Sequence, residues 1–102
     1  MDNYKLRYLP LFHTDMAEVV DYISNELKNP NAALNLVDLT EQAILKRLEN
    51  PLSFQPIQSS IKRKNPYYRI SINNFSVFYV VIDDVMEVRR FLYSKRDIQS
   101  IL

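Results

Sequence analysis

The sequence predicts an α+β fold in which an N-terminal strand and a two-helix antiparallel hairpin pack on one face of a mostly antiparallel four-stranded sheet. Three observations carry this prediction. Residues 67–93 contain three runs rich in β-branched and aromatic side chains, 67–73, 76–82 and 85–93, broken by Asn73-Asn74 and Asp83-Asp84, residue types that tolerate turn dihedrals. Breaks of two residues force antiparallel neighbours, so these runs form a meander. Upstream, residues 14–49 carry apolar side chains at helical spacing around Pro30, and residues 4–9 alternate as a strand does.

Taken in order, Tyr4, Leu6 and Tyr8 alternate with Lys5, Arg7 and Leu9, which predicts a short half-buried strand at a sheet edge, ended with the help of Pro10. Thr14 is the expected N-cap of the first helix, with Asp15 and Glu18 in its first turn. Met16, Val19, Val20, Ile23 and Leu27 share one helical face. The helix should stop near Asn29, and Pro30 suits the first turn of the next. That second helix, residues 30–49, puts Ala33, Val37, Thr40, Ile44 and Leu48 on one stripe. Leu34, Leu36, Leu39, Ala43 and Leu45 widen its apolar surface beyond one contact face, either as the rest of the core or as a strip for a partner. The expectation is core, because a small domain needs most of its apolar residues inside. Residues 52–65 lack periodicity and end in the basic run Lys62-Arg63-Lys64. In the meander, Ile70 and Ile72 alternate with Arg69 and Ser71, and Val77 to Ile82 is apolar on both faces, as a central strand would be. Ile70, Ile72, Val77, Tyr79, Val81, Val88 and Leu92, with Val20, Ile23, Val37 and Ile44, are the expected core.

Composition excludes much chemistry. A chain of 102 residues, 47% hydrophobic and 25% charged, is expected to form a single domain, residues 1–102. It has no cysteine and one histidine, His13, so no metal site, thiolate or hydrolase triad is expected. It also has no glycine, which removes the phosphate-cradling loops of nucleotide-binding proteins and leaves Asn and Asp to fill positive-φ positions. No cofactor is expected. No apolar run is long enough to span a bilayer and no signal-peptide pattern opens the chain, so a cytoplasmic protein without a membrane partner is the expectation.

Charge is divided unevenly. Residues 1–60 hold five basic and eight acidic side chains, whereas residues 61–102 hold eight basic and four acidic. The basic cluster comprises Lys62, Arg63, Lys64, Arg69, Arg89, Arg90, Lys95 and Arg96. It is either a binding surface or a set of solvating charges on exposed strands. Clustered Arg, Lys and Tyr beside a sheet can hold phosphates and stabilise negative charge in a transition state without metal.

The order strand, helical hairpin, basic loop and meander, together with Tyr68-Arg69-Ile70, Tyr79-Val80-Val81-Ile82-Asp83-Asp84 and Arg90-Phe91-Leu92-Tyr93-Ser94-Lys95-Arg96-Asp97, resembles the RelE/ParE superfamily of bacterial toxins. The resemblance implies the toxin of a type II toxin–antitoxin pair, with a cognate antitoxin as partner and either DNA gyrase or the ribosome and its mRNA as target. Arg69 and Arg96 match arginines of the RNA-cutting members, and with Tyr93 they are the catalytic candidates that the resemblance supplies. Ser71 and Ser76, however, stand where cutters usually carry Lys and Arg, and no acid–base side chain with a suitable pKa follows Arg96. Leu92-Tyr93-x-x-Arg96-Asp97 is close to a ParE-like Leu-His-x-x-Arg-Asp ending. The resemblance therefore implies a toxin that inhibits gyrase by binding, with target contacts from Lys62, Arg63, Lys64, Arg69, Arg89, Arg90, Tyr93, Lys95 and Arg96. The alternatives are a ribosome-dependent mRNA endonuclease and a decayed member that binds only its antitoxin.

Overall fold

The computed structural model describes residues 3–58 and 63–102, and for Gln99 only the backbone. The element order is β1 (Lys5–Tyr8), α1 (Pro10–Asp21), a π-helical turn (Tyr22–Glu26), α2 (Pro30–Leu48), β2 (Tyr68–Ile72), β3 (Phe75–Ile82), β4 (Val85–Tyr93) and α3 (Ile98–Ile101). The sheet runs β1-β4-β3-β2, with β1 parallel to β4 and the other pairs antiparallel. No helix among the described residues is long and apolar enough to cross a membrane.

Both hairpin turns use residues that accept positive φ, Asn73 at 53° and Asp83 at 56°. A third positive-φ position falls on Lys28, at 53°, so the expectation that only Asn or Asp would fill such sites is corrected. Lys28 follows the π-helical turn, where Leu27 N–H donates to Tyr22 C=O at 3.1 Å and Asn29 N–H to Ile23 C=O at 3.0 Å. The widened turn ends the helix in a short reversal. Asn29 then caps α2, its side chain accepting from Ala32 N–H at 3.2 Å, and Pro30 is the first helical residue.

The N-cap of helix α1 lies five residues before the Thr14 expected for it. Pro10 opens the helix, since the N–H it lacks would have been unpaired there anyway, and Leu9 stands at the N-cap in an extended conformation. Thr14 is therefore inside the helix and is no cap. Its hydroxyl donates back to Pro10 C=O at 3.3 Å.

Helices α1 and α2 cover one face of the sheet. Phe12, Leu36 and Ile44 pack there on Tyr68, Ile70, Ile72, Val77, Tyr79, Met86, Val88 and Phe91. Val88 and Phe91, three apart, share this face because β4 carries a bulge: Tyr79 pairs with Val88 and Phe78 with Arg90, leaving Arg89 as the extra residue. Strict alternation had put Leu92 with Val88. Leu92 is instead buried on the opposite face with Phe78 and Ile98, against Ile57, Tyr67, Ile101 and Leu102. Val20 and Val37 are only half-buried. The wide apolar surface of α2 does not all enter the core either. Leu36 is buried, but Leu34 is 65% exposed and Leu45 52%, with Leu39 exposed as well, because a helix on one face of a sheet has a single inward side.

Candidate functional site on the open sheet face

The face turned away from the two helices gathers side chains from every strand. Arg7 of β1 lies opposite Glu87 of β4, and Val80 of β3 is the other neighbour of Glu87. Glu87 is only 5% exposed, and a carboxylate so buried needs partners. It has two: Arg7 Nε donates to Oε2 at 2.8 Å, joined by Arg7 Nη2, and Arg89 Nε donates to Oε1 at 2.7 Å. Arg89 also donates from Nη1 to the Tyr67 hydroxyl at 3.3 Å. Alternation places Arg89 here, two residues from Glu87 on the same side of the strand, and the bulge leaves it without a partner on β3.

Burial alone would push the Glu87 carboxyl up, but the hydrogen bonds and charges of Arg89 and Arg7 outweigh it and hold it below its ordinary value. For Arg89, burial opposes the charge, and Tyr67 and Glu87 outweigh that, raising its pKa. The pair is thus fully ionised at neutral pH.

Aromatic rings carry the remaining cations. Arg63 and Arg89 both lie over the Tyr67 ring, at 5.2 and 5.7 Å from its centroid, and Arg69 lies 5.2 Å over Phe78. Arg69 has no ion-pair partner among the described residues, so its charge is available at the surface. Beyond it, α3 lays Ile98 on Phe78 and Leu92.

The sequence-predicted residues divide accordingly. Arg63, Arg69 and Arg89 come together on this face, and Lys64 is exposed in the loop leading to it. Lys62 lies outside the described residues. Arg90 sits next to the bulge but is held by Asp15 of α1, with Nε and Nη2 at 2.7 and 3.0 Å from the carboxylate. Lys95 and Arg96 are exposed in the turn after β4, where Ser94 N–H donates to Asn74 C=O at 2.8 Å. Tyr93 pairs with Phe75, whose ring stacks on the core residue Phe91, so it stands on the helix-bearing side, apart from Arg69 and Arg89. Ser71 is exposed. Ser76 is buried, its hydroxyl 2.8 Å from that of Ser94. Sequence reasoning missed Arg7, Glu87 and Tyr67. The signal for Glu87 was present: an acid between Met86 and Val88 in an apolar strand, with Arg89 two residues on.

No group of three or more His, Cys, Asp or Glu side chains among the described residues could hold a metal ion. What the arrangement can do is present fixed guanidinium groups and aromatic rings to an anionic or planar partner.

The family model described as ParE toxin of type II toxin-antitoxin system, parDE, matches residues 6–98. Among solved structures, the chain is similar to one described as the chromosomal ParDE TA system from P. aeruginosa, with a TM-score of 0.75 and 14% identity, over 91% of this chain and 98% of that one. It is also similar to a chain of the E. coli DinJ-YafQ complex, with a TM-score of 0.53 and 15% identity, over 88% and 92% of the two chains. No protein with a curated description matches the sequence significantly. At such identities the structural likeness speaks for the fold, while the family match covers most of the chain.

Proposed function

We propose, starting from the fact that this chain belongs to the ParE toxin family of type II toxin–antitoxin systems, that it acts as a single domain in the cytoplasm, is neutralised by a cognate antitoxin, and inhibits DNA gyrase by binding. One observation carries the choice of binding over RNA cleavage: the carboxylate on the open face is already spent. Both oxygens of Glu87 accept from arginines and its pKa is lowered, so it neither donates nor takes a proton near neutral pH. Ser71 and Ser76 add no cation, and Tyr93 lies on the other side of the sheet.

A second reading, ribosome-dependent mRNA cleavage, is favoured by Tyr67, whose hydroxyl sits at Arg89 on the face that carries Arg69. The experiment that decides adds purified protein to gyrase and to translating ribosomes. The expected outcome is inhibition of supercoiling and no codon-phased mRNA cuts. Cuts that slow roughly a hundredfold in Arg69→Ala, the loss expected for one transition-state arginine, would select the second reading. Inducible expression of folded protein with no effect on growth would indicate a member that binds only its antitoxin.

A further inference from the structure

At the far end of the helix-bearing side, Val19 and Tyr22 meet Phe75 and Tyr93 around a groove of about 510 Å³, with Glu18 at its rim. Phe75 and Tyr93 are inclined at 58° with centroids 5.7 Å apart, so their rings form two walls of a corner. Tyr22 begins the π-helical turn and stands at the same groove, a backbone irregularity that often accompanies functional sites. Large aromatic side chains exposed together are unusual on a monomer surface; Tyr22 is 54% exposed and Tyr93 40%.

Charge selects the occupant. Glu18 forms no salt bridge among the described residues. The nearby Arg90 feels its charge, but Arg90 gives two of its nitrogens to Asp15. Aromatic faces with an uncompensated carboxylate at the rim attract a cation more than an aliphatic side chain. We propose that this groove is a socket for an arginine or lysine side chain of the antitoxin, its charge on Glu18 and its stem between Tyr22, Phe75 and Tyr93. This assignment rests on the antitoxin reading above and is separate from the open sheet face.

Blocked arginine, N-acetyl-arginine amide, and blocked leucine test the chemistry by NMR titration of the full chain. Arginine should shift the Tyr22 and Tyr93 ring signals and the Val19 methyls saturably, leucine should not, and Glu18→Gln should abolish the arginine response. Equal shifts with leucine, or an unchanged response in Glu18→Gln, would overturn the socket. In the purified complex with the cognate antitoxin, Glu18→Gln should weaken affinity roughly tenfold, the scale of one charge-assisted contact. Unchanged affinity would overturn the antitoxin as the source of the cation. Failure of the wild-type chain to bind any antitoxin would instead overturn the reading beneath it, and persisting arginine shifts would tell the two failures apart.

Discussion

Asp15 does three things with one carboxylate. It accepts from Arg90 Nε and Nη2 and, at 3.0 Å, from the backbone N–H of Phe91. That N–H lies on β4 beyond Val88, the last residue that β1 covers, so α1 closes the strand edge that β1 leaves open. Removing the acid would strand both a guanidinium and a buried amide. Asp15→Ala is expected to cost about 3 kcal/mol, and Asp15→Asn less, because the amide oxygen still serves Phe91; urea unfolding of both variants checks the order. Glu87 yields a pH prediction. Its folded pKa lies below the ordinary 4.5, so its contribution is complete above that value and is lost as pH falls through the lowered one. Wild-type stability should therefore drop below about pH 4.5, and Glu87→Gln should flatten part of that drop. An equally steep acid limb in Glu87→Gln, measured by denaturation at stepped pH, would disprove the linkage.

Among the elements, α2 departs most from its expectation and explains why. Its buried residues, Ala33, Leu36, Thr40 and Ile44, follow one stripe, while Leu34 and Leu45, eleven residues apart and so three turns along one side, face outward. Thr40 fits the core because its hydroxyl donates to Leu36 C=O at 2.7 Å. Apolar residues that contribute little to the fold are free to serve a partner. Leu34→Gln with Leu45→Gln should change the unfolding free energy by less than about 1 kcal/mol, the range of surface substitutions. The same pair should weaken antitoxin binding at least tenfold if an amphipathic segment docks there; unaltered affinity by calorimetry would remove α2 from the interface. Strand β4 shows the reverse case, where one extra residue reassigns a whole half-strand. Without the bulge at Arg89, Phe91 would leave the core and Leu92 would enter it, while Arg89 would keep its place beside Glu87.

For the molecule as a whole, two halves of opposite charge meet as two surfaces: an acidic helical layer with exposed leucines and an aromatic groove, and a basic sheet face. The order from β1 through the two long helices to β4, the meander, both hairpin turns, the Asn29-Pro30 helix start and the outward arginine at 69 were legible in the sequence, because each depends on local rules of periodicity and turn chemistry, whereas α3 was not. Residue identity along one segment determines these. What only the tertiary structure decided is which charges pair across strands far apart in sequence. Arg7 and Glu87 are 80 residues apart and Asp15 and Arg90 are 75 apart, and sequence spacing says nothing about such contacts. The bulge belongs to the same class, since it exists only in the register between β3 and β4, and with it goes the facing of Phe91, Leu92 and Tyr93. The sequence by itself therefore determined the fold and the inventory of basic residues. Tertiary packing decided which of those residues are spent on the structure, as Arg90 is on Asp15, and which, like Arg69, stay exposed without an ion-pair partner among the described residues, because burial and cross-strand pairing are set by neighbours in space.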